Sequence, residues 1–326
     1  MYQINFSEPI RVYFMGIGGI SMSGLAEILM KEKFIVSGSD MRCSDLTKQL
    51  EAEGAKINYE QVASNINKDE IDLVVYTAAI HEDHPELAEV IRQDIPRLTR
   101  AELLGQIMRN YKQSIAISGT HGKTTTTSMV TEVMLTAGED PTVTVGGMLD
   151  CIHGNFHLGE SDCFITEACE YTNSFLSFFP TVEAVLNVEA DHLDFFKDLD
   201  DIRHSFRLFM EKLPKGGILV INSEIENWEE LTKDLPCQII TFGLTGSGAD
   251  YVAENLVYDE LAKASFTLCV KRDGAYVTVC DIKMNVPGIH NVKNALACAA
   301  VCLECGIPAE ALVKGLSTFG NAHRRF

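Results

Sequence analysis

Apolar and polar positions along the chain fall into two successive series of short apolar runs separated by amphipathic stretches. In the first series, apolar runs at 10–15, 34–37, 55–59 and 71–77 alternate with helical patterns that end near 33 and cover 44–53, 85–93 and 100–110. Runs this short and continuously apolar read as strands buried on both faces, and their alternation with helices implies a parallel sheet. The second series starts at 113. Runs at 114–118, 142–145, 163–168, 183–188, 217–222 and 238–242 are interleaved with helical patterns at 123–137, 200–213 and 225–233. Residues 250–284 alternate apolar and polar around an Arg-Asp-Gly turn at 272–274, the pattern of an antiparallel hairpin added to the sheet. Helical patterns at 289–305 and 308–318 close the series. The expected class is therefore α/β, in two domains that meet in the polar stretch around 110–113.

Composition narrows the partners. A chain of 326 residues suits two domains and, at 46% hydrophobic and 22% charged, can bury full cores without disulfide or metal staples. No apolar run reaches the ~18 residues of a membrane span, so no membrane partner is expected. A net charge of -19 argues against a nucleic-acid partner. It does not oppose phosphate binding at a local site built from backbone amides and one lysine. The opening MYQINFSEP has neither a basic start nor an apolar stretch, so no export signal is expected. The ten cysteines then read as reduced thiols of a cytoplasmic protein. Cys298, Cys302 and Cys305 share one face of an Ala-rich helical pattern and read as small buried apolar residues. A zinc ribbon would need a second CxxC, which is absent.

The sharpest chemical signal is GTHGKTTT at 119–126, placed after a strand and opening a helix. Consecutive amides of a Gly-rich turn and a helix N-terminus cradle phosphate. Gly119 and Gly122 let the backbone approach, Lys123 bridges β- and γ-phosphates, and the Thr124 hydroxyl reaches Mg²⁺. The common loop GxxxxGK[ST] would place glycine where this chain has Ile117, so the loop is a variant. Glu167 and Glu170 end one later strand and Asp191 and His192 follow another, where open α/β sheets place ligands. In the first domain, Gly16-Ile-Gly18-Gly19-Ile-Ser21 follows a strand, and Asp40 ends the next one. This fits a dinucleotide fingerprint except for Ser21 in the third glycine position. Taken alone the motif suits NAD. A separate triphosphate loop, which hydride transfer does not need, argues against it.

These motifs resemble the Mur ligases, ATP-dependent enzymes that build the peptide of bacterial cell-wall precursors. The resemblance is carried by GTHGKTTT (119–126), Glu-Ala-x-Glu with Ser-Phe shortly after (167–175), NVEADHLD (187–194), GIHNVKNALA (288–297) and the N-terminal GIGGISMSGLA (16–26). It implies an N-terminal Rossmann-like UDP-sugar domain over 1–111 and a central P-loop-type ATP domain over 112–326. The implied reaction joins L-alanine to UDP-N-acetylmuramate through an acyl-phosphate, with ATP and Mg²⁺; a homodimer is compatible with it. By the resemblance, Lys123, Glu167 and His192 are catalytic, and Thr124, Glu167 and His192 hold metal. Gly119, Thr120, His121, Gly122, Lys123, Thr124, Thr125, His290, Asn291, Asn294 and Arg324 serve ATP. Gly16, Gly18, Gly19, Ser39, Asp40, Thr77 and Ala78 serve the UDP-sugar. Cys169, Tyr171 and Thr172 depart from the family's Asp, Ser and Asp, which leaves muramoyl contacts of that loop open. Residues 201–208 hold no lysine, so no carbamate ligand is expected. The family has a third domain for the amino acid; the closing His323-Arg324-Arg325-Phe326 reads as a linker toward it, and the chain alone is expected to bind nucleotides but ligate poorly. Alternatives are a ligase that attaches a recycled peptide to UDP-N-acetylmuramate, a non-catalytic nucleotide-binding protein, and an NAD-dependent dehydrogenase, which would leave 119–126 unexplained.

Overall fold

The structure, a computed structural model, describes residues 2–77 and 79–320. The chain divides into two compact units, Met1–Asn110 and Tyr111–Phe326.

The first unit runs β1 (Arg11–Met15), α1 (Ile20–Lys31), β2 (Ile35–Ser39), α2 (Asp45–Ala52), β3 (Lys56–Asn58), β4 (Leu73–Tyr76), α3 (Pro85–Arg92), β5 (Arg97–Thr99) and α4 (Arg100–Met108). Its sheet has the order β3-β2-β1-β4-β5 and is parallel throughout. The strand order reverses between β1 and β4, and that crevice is where such sheets bind ligands. β5 was not foreseen, because Arg97-Leu98-Thr99 shows a single apolar residue without the alternation that 55–59 shows around β3. Helix starts are locally encoded: Ser44 and Thr47 exchange capping bonds of 3.2 and 2.8 Å at α2, and Thr99 and Glu102 do the same at α4. Beneath the sheet's carboxyl ends, Glu86 is fully buried. It accepts hydrogen bonds from Tyr13 Oη (2.7 Å), Ser39 Oγ (2.6 Å) and Asn65 Nδ2 (2.8 Å). A carboxylate removed from water needs such donors.

The second unit runs β6 (Gln113–Ser118), α5 (Lys123–Thr136), β7 (Thr142–Leu149), β8 (Gly154–His157), β9 (Cys163–Ala168), β10 (Val182–Val185), α6 (Leu199–Met210), β11 (Ile218–Asn222), α7 (Trp228–Leu231), β12 (Gln238–Leu244), β13 (Tyr251–Tyr258), β14 (Lys263–Arg272), β15 (Ala275–Pro287), α8 (Ile289–Glu304) and α9 (Ala309–Thr318). The sheet order is β15-β14-β13-β12-β11-β10-β6-β9-β7-β8. Strands β7 to β12 apart from β8 pair in parallel with β6 at the centre, and β8 is an antiparallel edge. The predicted hairpin is a three-stranded extension: β13 pairs in parallel with β12, and β14 and β15 then fold back antiparallel. Its turn forms at the predicted place, with Asp273 at φ 50° and Gly274 at φ 83°. Those angles make the type I′ turn that Asp-Gly favours. The helix expected at 225–233 shrinks to the four residues of α7, which starts from a left-handed Asn227.

One face of this sheet is covered by α5, α8 and α9 around Ile115, Ile117, Val133, Leu296 and Leu312. Cys298 and Cys302 are fully buried in the same core, as expected, with sulfurs 3.9 Å apart. On β10, Val182 and Ala184 face that core, so by strand alternation Glu183 faces the other side. Its carboxyl is fully buried, 3.2 Å from Ser118 Oγ at the end of β6. Burial pushes its pKa well above 4.5, against a smaller lowering by Ser118. The folded chain therefore holds a proton that the unfolded chain releases above 4.5. The stability from that carboxyl is full at acid pH and falls as pH rises toward its folded pKa. Glu183→Gln should remove this dependence: its melting temperature, measured by calorimetry from about pH 5 to 8, is expected to gain on the native chain as pH rises.

Candidate nucleotide site

The phosphate loop leaves the carboxyl end of β6 and is flanked by the carboxyl ends of β9 and β10. Gly119 (φ 135°) and Gly122 (φ 85°) occupy conformations that side chains rarely adopt. A Cβ on Gly122 would sit 2.8 Å from Asn294 Oδ1, and one on Gly119 3.0 Å from Leu186 Cβ. The loop's shape is thus reserved for glycine at both hinges. It is clamped from outside by the segment after β10. Asn187 accepts from the His121 amide at 2.7 Å and donates to the His121 carbonyl at 3.0 Å. The Thr120 hydroxyl accepts from the Glu189 amide at 2.9 Å. Asn187 acts as a side-chain substitute for a strand neighbour; it was quoted within a motif but given no role.

Lys123 is the first residue of α5, at the helix's positive end, where a cation is disfavoured. Its ammonium is bonded to the Gly119 carbonyl (2.5 Å), the Thr120 carbonyl (3.1 Å) and Glu170 Oε2 (2.9 Å). Glu170 is only 2% exposed, and its other oxygen lies 4.0 Å from His192 Nε2. Glu170 enters a 3-10 turn, Tyr171–Ser177, in which Thr172 (φ 54°) and Asn173 (φ 56°) are left-handed. His192 (φ 52°) is left-handed too. Such strain costs about 1–3 kcal/mol per residue and needs rigid surroundings. Phe175 supplies them: it is fully buried, stacked at 4.5 Å on Phe209 and edge-on to Phe206 at 5.4 Å. The Tyr171 ring lies 4.6 Å from the His192 ring, while its hydroxyl donates to Asp194 at 2.9 Å. Glu167 accepts from the Gly146 amide at 2.9 Å.

A cavity of about 430 Å³ opens beside the loop. His121, Gly122, Thr125, His290 and Asn294 line it, as do Phe242, Asn222 and Lys293, which sequence reasoning did not single out. Asn291 does not line it. Its amide is turned to the Pro287 carbonyl (2.7 Å) and its oxygen to Asn294 (3.3 Å), so it braces the start of α8. Thr124 stands in the first turn of α5. Arg324 lies outside the described residues.

In the first unit, Gly16 (φ 78°) turns the chain out of β1, and its amide reaches the Ser39 carbonyl at 2.8 Å. The Gly18 amide donates to Asp40 Oδ2 at 2.9 Å, and a Cβ on Gly18 would meet that oxygen at 2.8 Å. Gly19 caps α1. Gly16, Gly18 and Gly19 follow β1 and meet Asp40, which follows β2 on one side, while Thr77 follows β4 on the other side of β1. Ser39 is fully buried with its hydroxyl given to Glu86, so its side chain is a brace beneath the crevice and not a contact in it. Ala78 lies outside the described residues.

A doubly wound nucleotide-type unit and a second α/β unit built around a phosphate loop define a nucleotide-binding α/β protein with two sites of different design. Residues 11–112 match the Mur ligase family's catalytic-domain description, and residues 117–302 match its middle domain. The chain belongs to the Mur ligase family. It is 56% identical over 326 residues to the UDP-N-acetylmuramate--L-alanine ligase of Agathobacter rectalis, covering 100% of this chain and 70% of that protein. It is 52% identical, with the same coverage, to the enzyme of that name from Lachnospira eligens. Among solved structures, it superposes on the UDP-N-acetylmuramate:L-alanyl-gamma-D-glutamyl-meso-diaminopimelate ligase of Neisseria meningitides with TM-score 0.83 at 26% identity, covering 97% of this chain and 100% of that one. For the UDP-N-acetylmuramate-alanine ligase of Thermotoga maritima the TM-score is 0.76 at 30% identity, covering 97% and 70%.

Asn187→Ala removes both bonds to His121 without touching the core. The bonds hold the loop in the empty chain, so their loss, about 0.5–1.5 kcal/mol each, is expected to lower the melting temperature by a few degrees and to weaken nucleotide binding as the loop loses its shape. A calorimetric titration with ATP beside a thermal scan checks both.

Proposed function

We propose that this chain carries the nucleotide sites of an ATP-dependent ligase that joins L-alanine to UDP-N-acetylmuramate in peptidoglycan precursor synthesis. The observation that carries the reading is the convergence of Lys123, Glu170 and His192 at a phosphate loop whose His121, Gly122 and Thr125 line a cavity, in a chain 56% identical to a ligase of that name. In the reaction, a muramoyl carboxylate oxygen attacks the γ-phosphorus of ATP and the bond to ADP breaks. The amino nitrogen of alanine then attacks the acyl carbon, phosphate leaves, and the nitrogen loses a proton. Phosphoryl transfer needs positioning and charge neutralisation more than a protein nucleophile. Within Gly119 to Thr125, the amides from Gly122 onward and the Thr124 and Thr125 hydroxyls would hold the phosphates, since the Thr120 and His121 amides are given to Asn187. Lys123 would neutralise the transferred group, and the His290 and Asn294 wall would take the base.

Thr124 and Glu167 would hold one Mg²⁺ and His192 a second. Among the described residues no three His, Cys, Asp or Glu side chains converge as a complete cage. This suits Mg²⁺, which binds through one or two protein groups and completes its shell with phosphate and water. The buried, unpartnered Glu170 oxygen adds an anionic lining that fits a cation. Bound there, the ion would offset charge on the phosphate oxygens. In the first unit, the Gly16–Gly19 turn and Asp40 would receive the UDP-sugar. A recycled-peptide ligase shares the fold, and the identity to alanine ligases favours alanine. We place the protein in the cytoplasm, since all ten cysteines are free thiols; no described helix is long and apolar enough to cross a membrane.

Calorimetry on the purified chain tests the two sites separately. ATP binding should be lost or weakened at least about tenfold in Lys123→Ala, and UDP-N-acetylmuramate binding should weaken comparably in Asp40→Ala. NAD should not bind. NAD binding without UDP-N-acetylmuramate binding would overturn the assignment of the first unit.

A further inference from the structure

The Lys123 ammonium has three protons to donate, and all three are spent on Gly119, Thr120 and Glu170. A phosphate can therefore gain this lysine only by displacing one of them. Two are carbonyls of the loop itself. The third is an anion that competes for the same charge. Displacing Glu170 would leave a carboxylate, 2% exposed, with no counter-charge, and a buried unpaired charge is strongly unfavourable. Its Oε1 already lacks any hydrogen-bond partner in the structure. His192 Nε2 lies 4.0 Å from it, too far for a hydrogen bond. Bonds of about 2.0–2.1 Å to each atom would let one divalent cation bridge a gap of about that width. The His192 ring is already oriented for this by the Tyr171 ring at 4.6 Å.

We propose that Glu170 exchanges cations during nucleotide binding: it neutralises Lys123 in the empty site and, when phosphate draws Lys123 away, takes a divalent cation jointly with His192. The proposal rests on the ATP-site reading above and adds Glu170 to its residues as a cation ligand. It also explains why a carboxylate is kept beside a lysine intended for phosphate. The buried anion holds the lysine in place, and the arriving cation removes the competition at the moment the triphosphate arrives.

The test counts cations. The purified chain, saturated with the non-hydrolysable ATP analogue AMP-PNP, is titrated with Mn²⁺, and free Mn²⁺ is followed by electron paramagnetic resonance. The native chain is expected to hold two Mn²⁺. Glu170→Gln, His192→Gln and the double variant should each hold one, with AMP-PNP still bound and melting curves cooperative. Because His192 is a third exposed, its variant keeps the test open if Glu170→Gln fails to fold. Two Mn²⁺ in Glu170→Gln, or one in the native chain, would overturn the proposal while leaving the ATP site standing. A native chain that binds no AMP-PNP would overturn both.

Discussion

A lysine at the amino end of a helix sits in the field of unpaired backbone N–H groups that repels it, and much of the second unit is arranged around that conflict. The conflict is useful, because the same field attracts phosphate. It must nevertheless be contained when no phosphate is present, and a carboxylate from another strand contains it. That carboxylate must be buried to hold the lysine in one place, so its turn must be rigid. Phe175 wedged against Phe206 and Phe209 makes it so. Packing on the far side of the sheet from α5 thereby fixes the electrostatics at the helix's first residue. Changes among these phenylalanines should be felt at the nucleotide site before they are felt in the fold as a whole.

The two units meet related demands by different means. In the proposed reading the first would bind through a glycine turn whose amide is held by Asp40, an acid just beyond the neighbouring strand, with no lysine in the loop. The second adds a lysine and a cavity. The difference follows chemistry: a diphosphate that is only held needs amides and a turn, whereas a γ-phosphoryl group that is transferred needs mobile positive charge near it.

What could be read from sequence depended on how local the determinant was. The phosphate loop was legible because strand, glycines, lysine and helix are contiguous, and the Asp273-Gly274 turn because its two left-handed residues are adjacent. Glu170 was read as a strand-end carboxylate of the ATP site, but its pairing with Lys123 was not, since that contact spans 47 positions. Asn187 clamps a loop 66 positions away. Ser39 was assigned to the ligand because it ends a strand at the crevice; Glu86, 47 positions on, claims its hydroxyl. Asn291 and Asn294 read alike in sequence, yet one turn of helix sends one to the cavity wall and the other to a carbonyl. The three-stranded extension was underestimated because alternation reveals strands but not how many partners each one has.

The thiols form a graded series from surface to core. Cys43 and Cys169 are exposed, Cys151, Cys237, Cys280 and Cys305 are intermediate, and Cys163, Cys269, Cys298 and Cys302 are buried. Cys43 belongs to the first unit and Cys169 adjoins the turn that carries Glu170. An alkylating reagent would thus meet one exposed cysteine per unit first, the four partly covered ones more slowly, and the four buried ones only as the second unit opens. The chain carries its own clock for the order in which its parts come undone, readable by mass without adding a probe.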